Sequence, residues 1–300
     1  MRTVTVLMST YNGEKYLKMQ IESILAQKDV DVKLLVRDDG SKDSTQDILK
    51  EYAKDRKLTW YSGENLRSAK SFMDLIQKAD DCEYYAFSDQ DDFWLPNKLS
   101  SAVNILDKQN INQPALYYSV TTLVDEDLNK IEQHQESRKF IEFRYAVVSS
   151  NATGCTMCFN KALKDMINLY TPEYQIMHDG WLHKVCLAVG GYAFYDTNSY
   201  IYYRQHGNNV IGGTTTPLKR WKRRIKTILE KPCPRSRGVY ELLKGYKDYM
   251  TIENQEICQQ IISYRKSFFK RLQLCLNHNI GSTNKRIDNM YRISVLLGLF

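Results

Sequence analysis

The chain lacks any long apolar run. No stretch approaches the roughly 20 consecutive apolar residues of a membrane-spanning helix, and the apolar segment at 293–300 is too short. The first eight residues lead straight into a strand-like alternation, without the basic and apolar regions of a signal peptide. We therefore expect a cytoplasmic protein that can lie on a membrane surface but not cross the bilayer.

A disulfide framework is also missing. The seven cysteines are odd in number and scattered along the chain, which favours reduced thiols. Cys155 and Cys158 form a C-x-x-C pair, but no second pair stands at the spacing that zinc needs. We expect buried strand thiols here rather than a metal or redox site.

Acidic residues are scarce at the end of the chain. Of the net charge of +7, residues 217–300 carry +12, from 18 Lys or Arg against 6 Asp or Glu, so residues 1–216 carry −5. The acidic front suits metal-binding aspartates, and the basic tail suits an anionic surface such as phospholipid headgroups. We expect no nucleic-acid partner, because no recognised binding motif accompanies the basic residues.

Strand and helix patterns alternate over the first 113 residues. Strands are expected at 3–8, 32–37, 58–61 and 84–88. Helices are expected at 17–27, at 69–79 and from Pro96 through 106. A further helix is expected to begin at a capping box formed by Asp43 and Gln46. Such alternation predicts an α/β fold with right-handed crossovers and a mostly parallel, Rossmann-like sheet flanked by helices.

The pattern loosens beyond Pro114. Strands are expected at 115–119, 154–159, 192–195 and 200–204, and helices at 162–169 and 181–189. A basic, helical C-terminal region at 216–300 would follow.

Polar residues follow three of the predicted strands, at 9–11, 38–39 and 89–92. Ligands of such sheets bind at the carboxyl ends of the strands. Asp89 and Asp91 form a D-x-D turn whose carboxylates can point at one hard cation and leave positions open for phosphate oxygens. Such an ion would neutralise a departing diphosphate. A solvated acidic turn is the alternative, since D-x-D is common by chance.

The segment 38–41 reads DDGS and has two interpretations. It is either a turn and helix cap, or a site whose carboxylate accepts the imide N–H of uracil or thymine. In the second case the loop 9–13 would lie on the other side, with Tyr11 available to stack on the base. The position after a buried strand favours base binding.

Three motifs stand in series: 9–17 reads STYNGEKYL, 38–43 reads DDGSKD and 88–99 reads SDQDDFWLPNKL. In this order and spacing they resemble family 2 glycosyltransferases of the GT-A fold. The D-Q-D-D-x-W form most resembles rhamnosyltransferase-like enzymes that build bacterial surface polysaccharides. The resemblance covers residues 1–215 and implies a catalytic domain there, with a nucleotide-sugar-binding half at 1–113 and an acceptor half at 114–215.

The resemblance also implies an activity. The enzyme would pass a sugar with inversion from a nucleotide-diphosphate sugar to a saccharide or lipid-linked acceptor. The donor of first choice is dTDP-L-rhamnose, followed by a UDP-hexose. Asp39, with Asp38 beside it, would bind the base, Asp89 would lie near the ribose, and Asp91 would ligate Mg²⁺ or Mn²⁺ with Asp89 nearby. The whole nucleotide-sugar site would comprise Ser9, Thr10, Tyr11, Asn12, Glu14, Asp38, Asp39, Lys70, Asp89, Gln90 and Arg204.

Members of this family place the catalytic base at the start of a helix, where this chain reads HDGW at 178–181. Asp179 would take the acceptor proton as the hydroxyl attacks the anomeric carbon opposite the diphosphate. A simple helix cap is the alternative. His178, Trp181 and Trp94 would line the acceptor side.

The segment 203–209 reads YRQHGNN. It resembles a family segment that lies close to the diphosphate. His206 would complete the metal shell and Arg204 would pair with phosphate. Structural roles are the alternative for both residues.

Two departures from the family pattern stand out. Arg67 occupies a position where many relatives have Gly. The Q-x-x-R-W motif of processive members is incomplete, since Pro217 replaces the Gln ahead of Arg220 and Trp221, so a processive synthase is not expected. Two rivals remain: a nucleotidyltransferase acting on sugar phosphates and a non-catalytic assembly factor with the same fold.

The basic tail has two interpretations as well. Residues 219–226 place basic residues around an apolar helical face, which is typical of an interfacial helix on an anionic membrane. The design is repeated by Phe268, Phe269, Leu272, Cys275 and Leu276 with Lys270 and Arg271. A helix packed on the catalytic domain is the alternative. We expect a peripheral location on the inner face of the plasma membrane, and the oligomeric state stays open.

Overall fold

The computed structural model describes residues 1–131, 141–150, 152–175, 177–206 and 234–300 of the chain. The strands of this part are β1 (Arg2–Thr10), β2 (Val30–Asp38), β3 (Thr59–Ser62), β4 (Tyr84–Ser88), β5 (Phe93–Trp94), β6 (Ala115–Val124), β7 (Cys158–Asn160) and β8 (Tyr192–Arg204). Its α-helices are α1 (Leu17–Leu25), α2 (Thr45–Lys54), α3 (Arg67–Lys78), α4 (Lys98–Leu106), α5 (Phe143–Ala146), α6 (Lys161–Asn168), α7 (His178–Ala188), α8 (Pro234–Tyr246), α9 (Ile252–Ser263), α10 (Phe268–Leu276) and α11 (Lys285–Leu296).

One sheet joins these strands in the order β3-β2-β1-β4-β7-β6-β8-β5. The first four strands of this order run parallel to one another. β7 is antiparallel to both of its neighbours, β6 and β8 are parallel, and β5 is antiparallel to β8. The predicted α/β fold with a mostly parallel sheet is therefore confirmed.

Two hydrophobic cores cover the two faces of the sheet. Val4, Val6 and Met8 alternate along β1 into a core that they share with α1, α2 and α4. Leu7 points to the opposite face, where α3, α6 and α7 supply the packing residues. This period of two follows from the strand geometry, because successive side chains point to opposite faces of the sheet.

Two predicted helix starts differ from the structure. The capping box of Asp43 and Gln46 does not form: α2 follows the N-cap residue Ser44 without a side-chain cap bond, and the Gln46 amide donates to Asp38 instead. Helix α4 begins at Lys98, two residues after Pro96. The Asp38 carboxylate competes for Gln46, so local capping gives way to a bond between loop and helix.

The second half departs further from the predicted pattern. The strand expected at 154–159 is a 3-10 turn at Gly154–Thr156 followed by the short β7. The two strands expected at 192–195 and 200–204 form the single strand β8, whose pairing with β6 shifts register near Ser119 and Val120. β5 and α5 were not predicted, because two- and four-residue elements leave no periodic signal.

The C-terminal helices pack on the rest of the protein. Leu242 and Tyr246 of α8 and Ile261 of α9 lie in the same core as the buried residues of α3 and α7. The predicted boundary at 215/216 and the basic segment 219–226 fall outside the described residues. Among the residues that the structure describes, no helix is long and apolar enough to span a membrane.

Candidate active site

The loops that follow the parallel strands meet at one edge of the sheet. The register pairs Thr10 at the end of β1 with Asp38 at the end of β2. On the other side, Met8 of β1 pairs with Ser88 at the end of β4. The segments 9–14, 38–44 and 89–92 therefore start side by side, as the sequence predicted for the ligand-binding edge.

Gln90 fastens the loop after β1. Its side-chain oxygen accepts from Thr10 Oγ1 at 2.6 Å and from the Tyr11 amide at 2.8 Å, and its amide nitrogen donates to the Tyr11 carbonyl at 3.1 Å. A Cβ atom on Gly13 would lie 2.3 Å from that side-chain oxygen, so a larger residue there would displace the Gln90 side chain. Gln90 and Thr10 thus position the loop, while the exposed Tyr11 ring stays available to a ligand.

Asn12 and Glu14 join this loop to the one after β2. Asn12 adopts φ 48°, in the left-handed region that Asn tolerates, and its side-chain oxygen accepts from the Lys42 amide at 2.8 Å. The Glu14 carboxylate accepts from the Ser44 amide at 2.9 Å, and the Glu14 amide donates to Asp43 at 3.1 Å. The side chains of both residues, and the Glu14 amide, therefore form hydrogen bonds that hold the two loops together.

Ser9 and Lys70 differ in their surroundings. The Ser9 hydroxyl lies 2.7 Å from the hydroxyl of Ser71 on α3. Lys70, on the same helix, has an exposed side chain.

Asp38 is fully buried and organises the turn after β2. Its carboxylate accepts from the Ser62 hydroxyl and the Gln46 amide, each at 2.8 Å, and from the Ser41 backbone amide at 3.2 Å. Its hydrogen-bonding capacity is largely used within the protein.

Asp39 fixes a second backbone segment. Its carboxylate oxygens accept from the backbone amides of Leu66 at 3.0 Å and Arg67 at 2.9 Å, and they form an ion pair with the guanidinium of Arg37. Arg67 adopts φ 61°, a left-handed conformation that glycine adopts without strain. Arg67→Gly would therefore relieve the strain of this backbone conformation.

Arg37 was missed from the sequence. Its guanidinium is buried and contacts Asp39, Asp74 at 2.9 Å and the Glu64 carbonyl at 3.0 Å. The available signal was a cation inside an apolar strand directly ahead of two aspartates, since a buried charge requires a partner. Arg37 positions Asp39, the second aspartate of the motif.

Asp91 and His206 belong to two motifs that are far apart in the sequence, and the fold brings their side chains into contact. Asp91 Oδ2 lies 2.7 Å from His206 Nε2, and the His206 ring stacks on Tyr16 with centroids 5.3 Å apart. A carboxylate oxygen and an imidazole nitrogen are donors that suit a divalent cation such as Mg²⁺ or Mn²⁺, and Asp89 stands two residues before Asp91 in the chain. The residues present therefore fit the metal that the motif implies.

Two further carboxyl groups, those of Asp89 and Asp92, interact electrostatically with Asp91. Burial, then the charges of Asp91 and Asp179, raise the pKa of Asp89 to about 7. Burial and the charges of Asp89 and Asp91 raise the pKa of Asp92 well above its ordinary value. Asp92 Oδ2 accepts no bond from an N–H or O–H group of the described residues. A bound cation would compensate this charge.

The Cys155 thiol lies beside these carboxylates, a placement that the sequence did not predict. Ligand atoms of Asp89, Asp92 and Cys155 lie within 4.8 Å of one another. Cys155 is buried, as expected, and burial together with the two carboxylates raises its pKa well above the ordinary value.

Asp179 lies in the first turn of α7. One of its oxygens accepts from the Gly154 amide at 3.3 Å and the other from the Gly180 amide. The N-cap residue is Met177, so Asp179 is not the cap that the alternative interpretation required. Its charge contributes to the raised pKa of Asp89, so the two carboxyl groups interact across the site.

Three residues expected on the acceptor side are buried in the core. Trp94 is 1% exposed, and His178 and Trp181 are each 3% exposed. The His178 ring stacks on Phe72 with centroids 4.0 Å apart, and burial lowers its pKa to about 4, so it is neutral. His178 and Trp181 are held in the core by helix α7, and Trp94 by strand β5.

Arg204 is also structural rather than a phosphate ligand in this arrangement. It is 2% exposed, and its guanidinium donates to the Asp91 carbonyl at 2.9 Å and to the Glu126 carbonyl. It lies over the Tyr16 ring, 4.5 Å from the centroid. The structural alternative is therefore the better account: Arg204 holds the backbone of the D-x-D turn.

Comparisons with known proteins give similarities in sequence and in fold. Residues 5–167 match the family described as "Glycosyl transferase family 2". The dTDP-rhamnosyl transferase RfbG of Shigella flexneri is 30% identical over 236 residues, which is 72% of this chain and 77% of that protein. The Escherichia coli UDP-Glc:alpha-D-GlcNAc-diphosphoundecaprenol beta-1,3-glucosyltransferase WfgD is 31% identical over 109 residues, 36% of this chain and 43% of that protein.

A solved structure extends the fold comparison over the chain. The crystal structure of S. aureus TarS 1-349 in complex with UDP-GlcNAc matches with a TM-score of 0.56 and 17% identity, covering 99% of this chain and 91% of that one. The GT-A fold expected from the sequence is thereby confirmed.

Proposed function

Because the chain belongs to glycosyl transferase family 2 and acts on a nucleotide sugar, we propose that it is a metal-dependent, inverting enzyme that adds one sugar to a saccharide or lipid-linked acceptor of a surface polysaccharide. The observation that carries the proposal is the convergence of Asp91 and His206, 2.7 Å apart, at the edge where Asp179 also interacts with Asp89. This edge combines metal donors with a carboxylate at a helix start.

The proposed donor is dTDP-L-rhamnose. The similarity to RfbG supports it, as does the D-Q-D-D-x-W form of the motif at 89–94. A UDP-hexose is the second choice, supported by the likeness to WfgD. On the base-binding side we retain the exposed ring of Tyr11 and the loop that Asp39 and Arg37 fix.

We propose that Asp91 and His206 hold the metal, with Asp89 beside them. When bound, Mg²⁺ or Mn²⁺ supplies positive charge against the diphosphate of the donor. Arg204 keeps the D-x-D turn in place through its bond to the Asp91 carbonyl. Gln90 holds the opposite loop over the same edge.

Asp179 is the proposed general base. Its position at the start of α7, with oxygens oriented by the amides of Gly154 and Gly180, suits a carboxylate that takes a proton from an acceptor hydroxyl. The hydroxyl oxygen bonds to the anomeric carbon on the side opposite the diphosphate, the bond from that carbon to the diphosphate oxygen breaks, and the nucleoside diphosphate leaves. A single displacement of this kind inverts the anomeric centre.

The proposed location of the enzyme is the inner face of the plasma membrane. The net charge of +12 over residues 217–300 supports attraction to anionic lipids. A lipid-linked acceptor is consistent with the diphosphoundecaprenol substrate in the name of WfgD.

A donor panel tests the proposal. The purified chain is mixed with Mn²⁺ or Mg²⁺ and dTDP-L-rhamnose, UDP-glucose, UDP-GlcNAc or GDP-mannose. Calorimetry then measures binding and chromatography identifies the released nucleotide. We expect one preferred donor, slow release of its nucleoside diphosphate, and loss of that release in EDTA.

Two additions to the panel separate the rivals: a nucleoside triphosphate with a sugar phosphate, and membranes that supply acceptors. A nucleotidyltransferase would use a nucleoside triphosphate with a sugar phosphate and release pyrophosphate. A non-catalytic assembly factor would bind donors without turnover, even with membranes that supply acceptors. Either result would overturn the proposal.

A further inference from the structure

Helix α10 carries an exposed apolar stripe opposite its buried face. Phe268 and Phe269 are 70% and 74% exposed, and Leu272 and Leu276 are exposed on the same side. At about 100° per residue these four side chains lie within one quadrant of the helix or slightly more. Exposed aromatic residues clustered in this way indicate a surface that meets another apolar phase.

Helix α11 adds a second stripe beside the first. Met290, Ile293 and Leu297 are exposed, and their spacing of three and four residues places them on one face. The opposite faces of both helices enter the same core, through Leu274 of α10 and Val295 of α11 among others. The two stripes therefore both point away from that core.

The two helices lie against each other in antiparallel order. The Arg292 guanidinium of α11 donates to the Cys275 carbonyl near the end of α10. The space beside Gly298, after α11, is filled by the guanidinium of Arg271 near the start of α10. We call the combined stripes the outer face; it consists of Phe268, Phe269, Leu272, Leu276, Met290, Ile293 and Leu297.

The segment that carries the outer face is rich in basic residues. Residues 264–300 contain seven Lys or Arg and one Asp, a net charge of +6. Arg265, Lys266, Lys285 and Arg286 are exposed. The single acidic residue, Asp288, is paired with Arg292 at 2.7 Å.

We propose that the outer face docks on an anionic lipid bilayer, with the phenylalanines at the headgroup boundary and the basic residues on the phospholipid headgroups. Only the purpose of this docking depends on the proposed function: it would bring the enzyme to a lipid-linked acceptor. Apolar side chains rimmed by Lys and Arg are the combination that binds anionic interfaces. A second copy of the chain is a poorer occupant, because two surfaces of net charge +6 would repel each other.

Vesicle sedimentation with the full chain tests the docking surface. Vesicles of phosphatidylcholine alone are compared with vesicles that contain 30% phosphatidylglycerol, a composition chosen to give ~0.3 negative charge per lipid. We expect the parent to bind the anionic vesicles and salt to weaken the binding. Phe268→Ser with Phe269→Ser keeps every charge and should weaken binding at least tenfold. Lys285→Gln with Arg286→Gln should weaken it about fivefold per charge.

Ile111→Ser is the matched control, since Ile111 is also exposed but follows α4; its binding should equal that of the parent. Because the substituted side chains are exposed, folding should persist, and circular dichroism checks it. Parental binding by the double phenylalanine variant would overturn the proposal, whatever other basic segments contribute. A parent dimer that the variant loses, without vesicle binding, would assign the face to a second copy and overturn it too.

Donor hydrolysis in buffer separates this proposal from the proposed function. The double phenylalanine variant should hydrolyse donor at the parental rate, because the outer face lies outside the residues assigned to the donor. Vesicle binding without any donor turnover would contradict the proposed function and support the docking surface. Donor turnover without vesicle binding would contradict the docking surface and support the proposed function.

Discussion

Replacing Asp179 by Asn removes a base while preserving most of what the structure shows this side chain doing. The Asn side-chain oxygen can still accept from the Gly154 amide, which Asp179 contacts at 3.3 Å. The position in the first turn of α7 loses a favourable charge, worth about 0.3–1 kcal/mol, but the loss of repulsion with Asp89 opposes this change. Folding should therefore change little.

The expected loss in transfer is much larger. A positioned general base contributes a factor of about 10² to 10⁴, which corresponds to about 3–5 kcal/mol in the activation free energy. Donor and metal binding should stay near the parental values, because Asp91 and His206 are unchanged. The lowered rate should therefore appear in kcat with little change in donor affinity.

The assay compares donor affinity by calorimetry with the transfer rate to a competent acceptor. Asp47→Asn is the matched control, since Asp47 also lies in the first turn of a helix, α2, but is exposed; it should transfer at the parental rate. An Asp179→Asn variant that keeps more than about a tenth of the parental rate would refute the base assignment.

Other residues give further tests. Asp91→Asn or His206→Ala should each abolish metal-dependent donor turnover, as EDTA should in the parent; activity of either variant in EDTA would show that the metal assignment is wrong. Arg37→Met should lower the free energy of unfolding in urea by about 3–5 kcal/mol, because it leaves the buried Asp39 carboxylate without its cation, whereas Lys33→Met on exposed β2 surface should change it by less than about 0.5 kcal/mol. Burial lowers the pKa of His178 from 6.5 to about 4, so the unfolded chain protonates first as pH falls below about 6.5, and stability drops towards pH 4. The thermal midpoint should fall less between pH 7 and pH 5 in His178→Phe, and an equal fall would contradict a neutral, buried imidazole.

The sequence predicted the first half of the fold well for a physical reason. β1 alternates Val4, Val6 and Met8 to one face, and the helices between the strands are long enough to show a period of 3.6. The second half of the fold depends on strand pairing between distant residues, which no local sequence pattern indicates. β5 is two residues long, and the register of β6 shifts beside Ser119, so both features are set by tertiary packing.

The candidate site shows the same division. Motifs placed Asp91 and His206 in one group although they stand 115 residues apart. The partners that fix the motif residues had no such signal: Cys155 meets Asp92 only through the fold, and Gly154 meets Asp179 in the same way. Burial was equally hidden for Trp94, since an aromatic residue inside a motif has the same spacing whether it faces a ligand or the core.

The configuration of the product tests the central claim most directly. The preferred donor and a competent acceptor are incubated with the full chain and a divalent cation, and the one-bond carbon–proton coupling at the new anomeric centre is measured by NMR. A single displacement assisted by Asp179 predicts a configuration opposite to that of the donor. A product that retains the donor configuration would contradict the proposed role of this site.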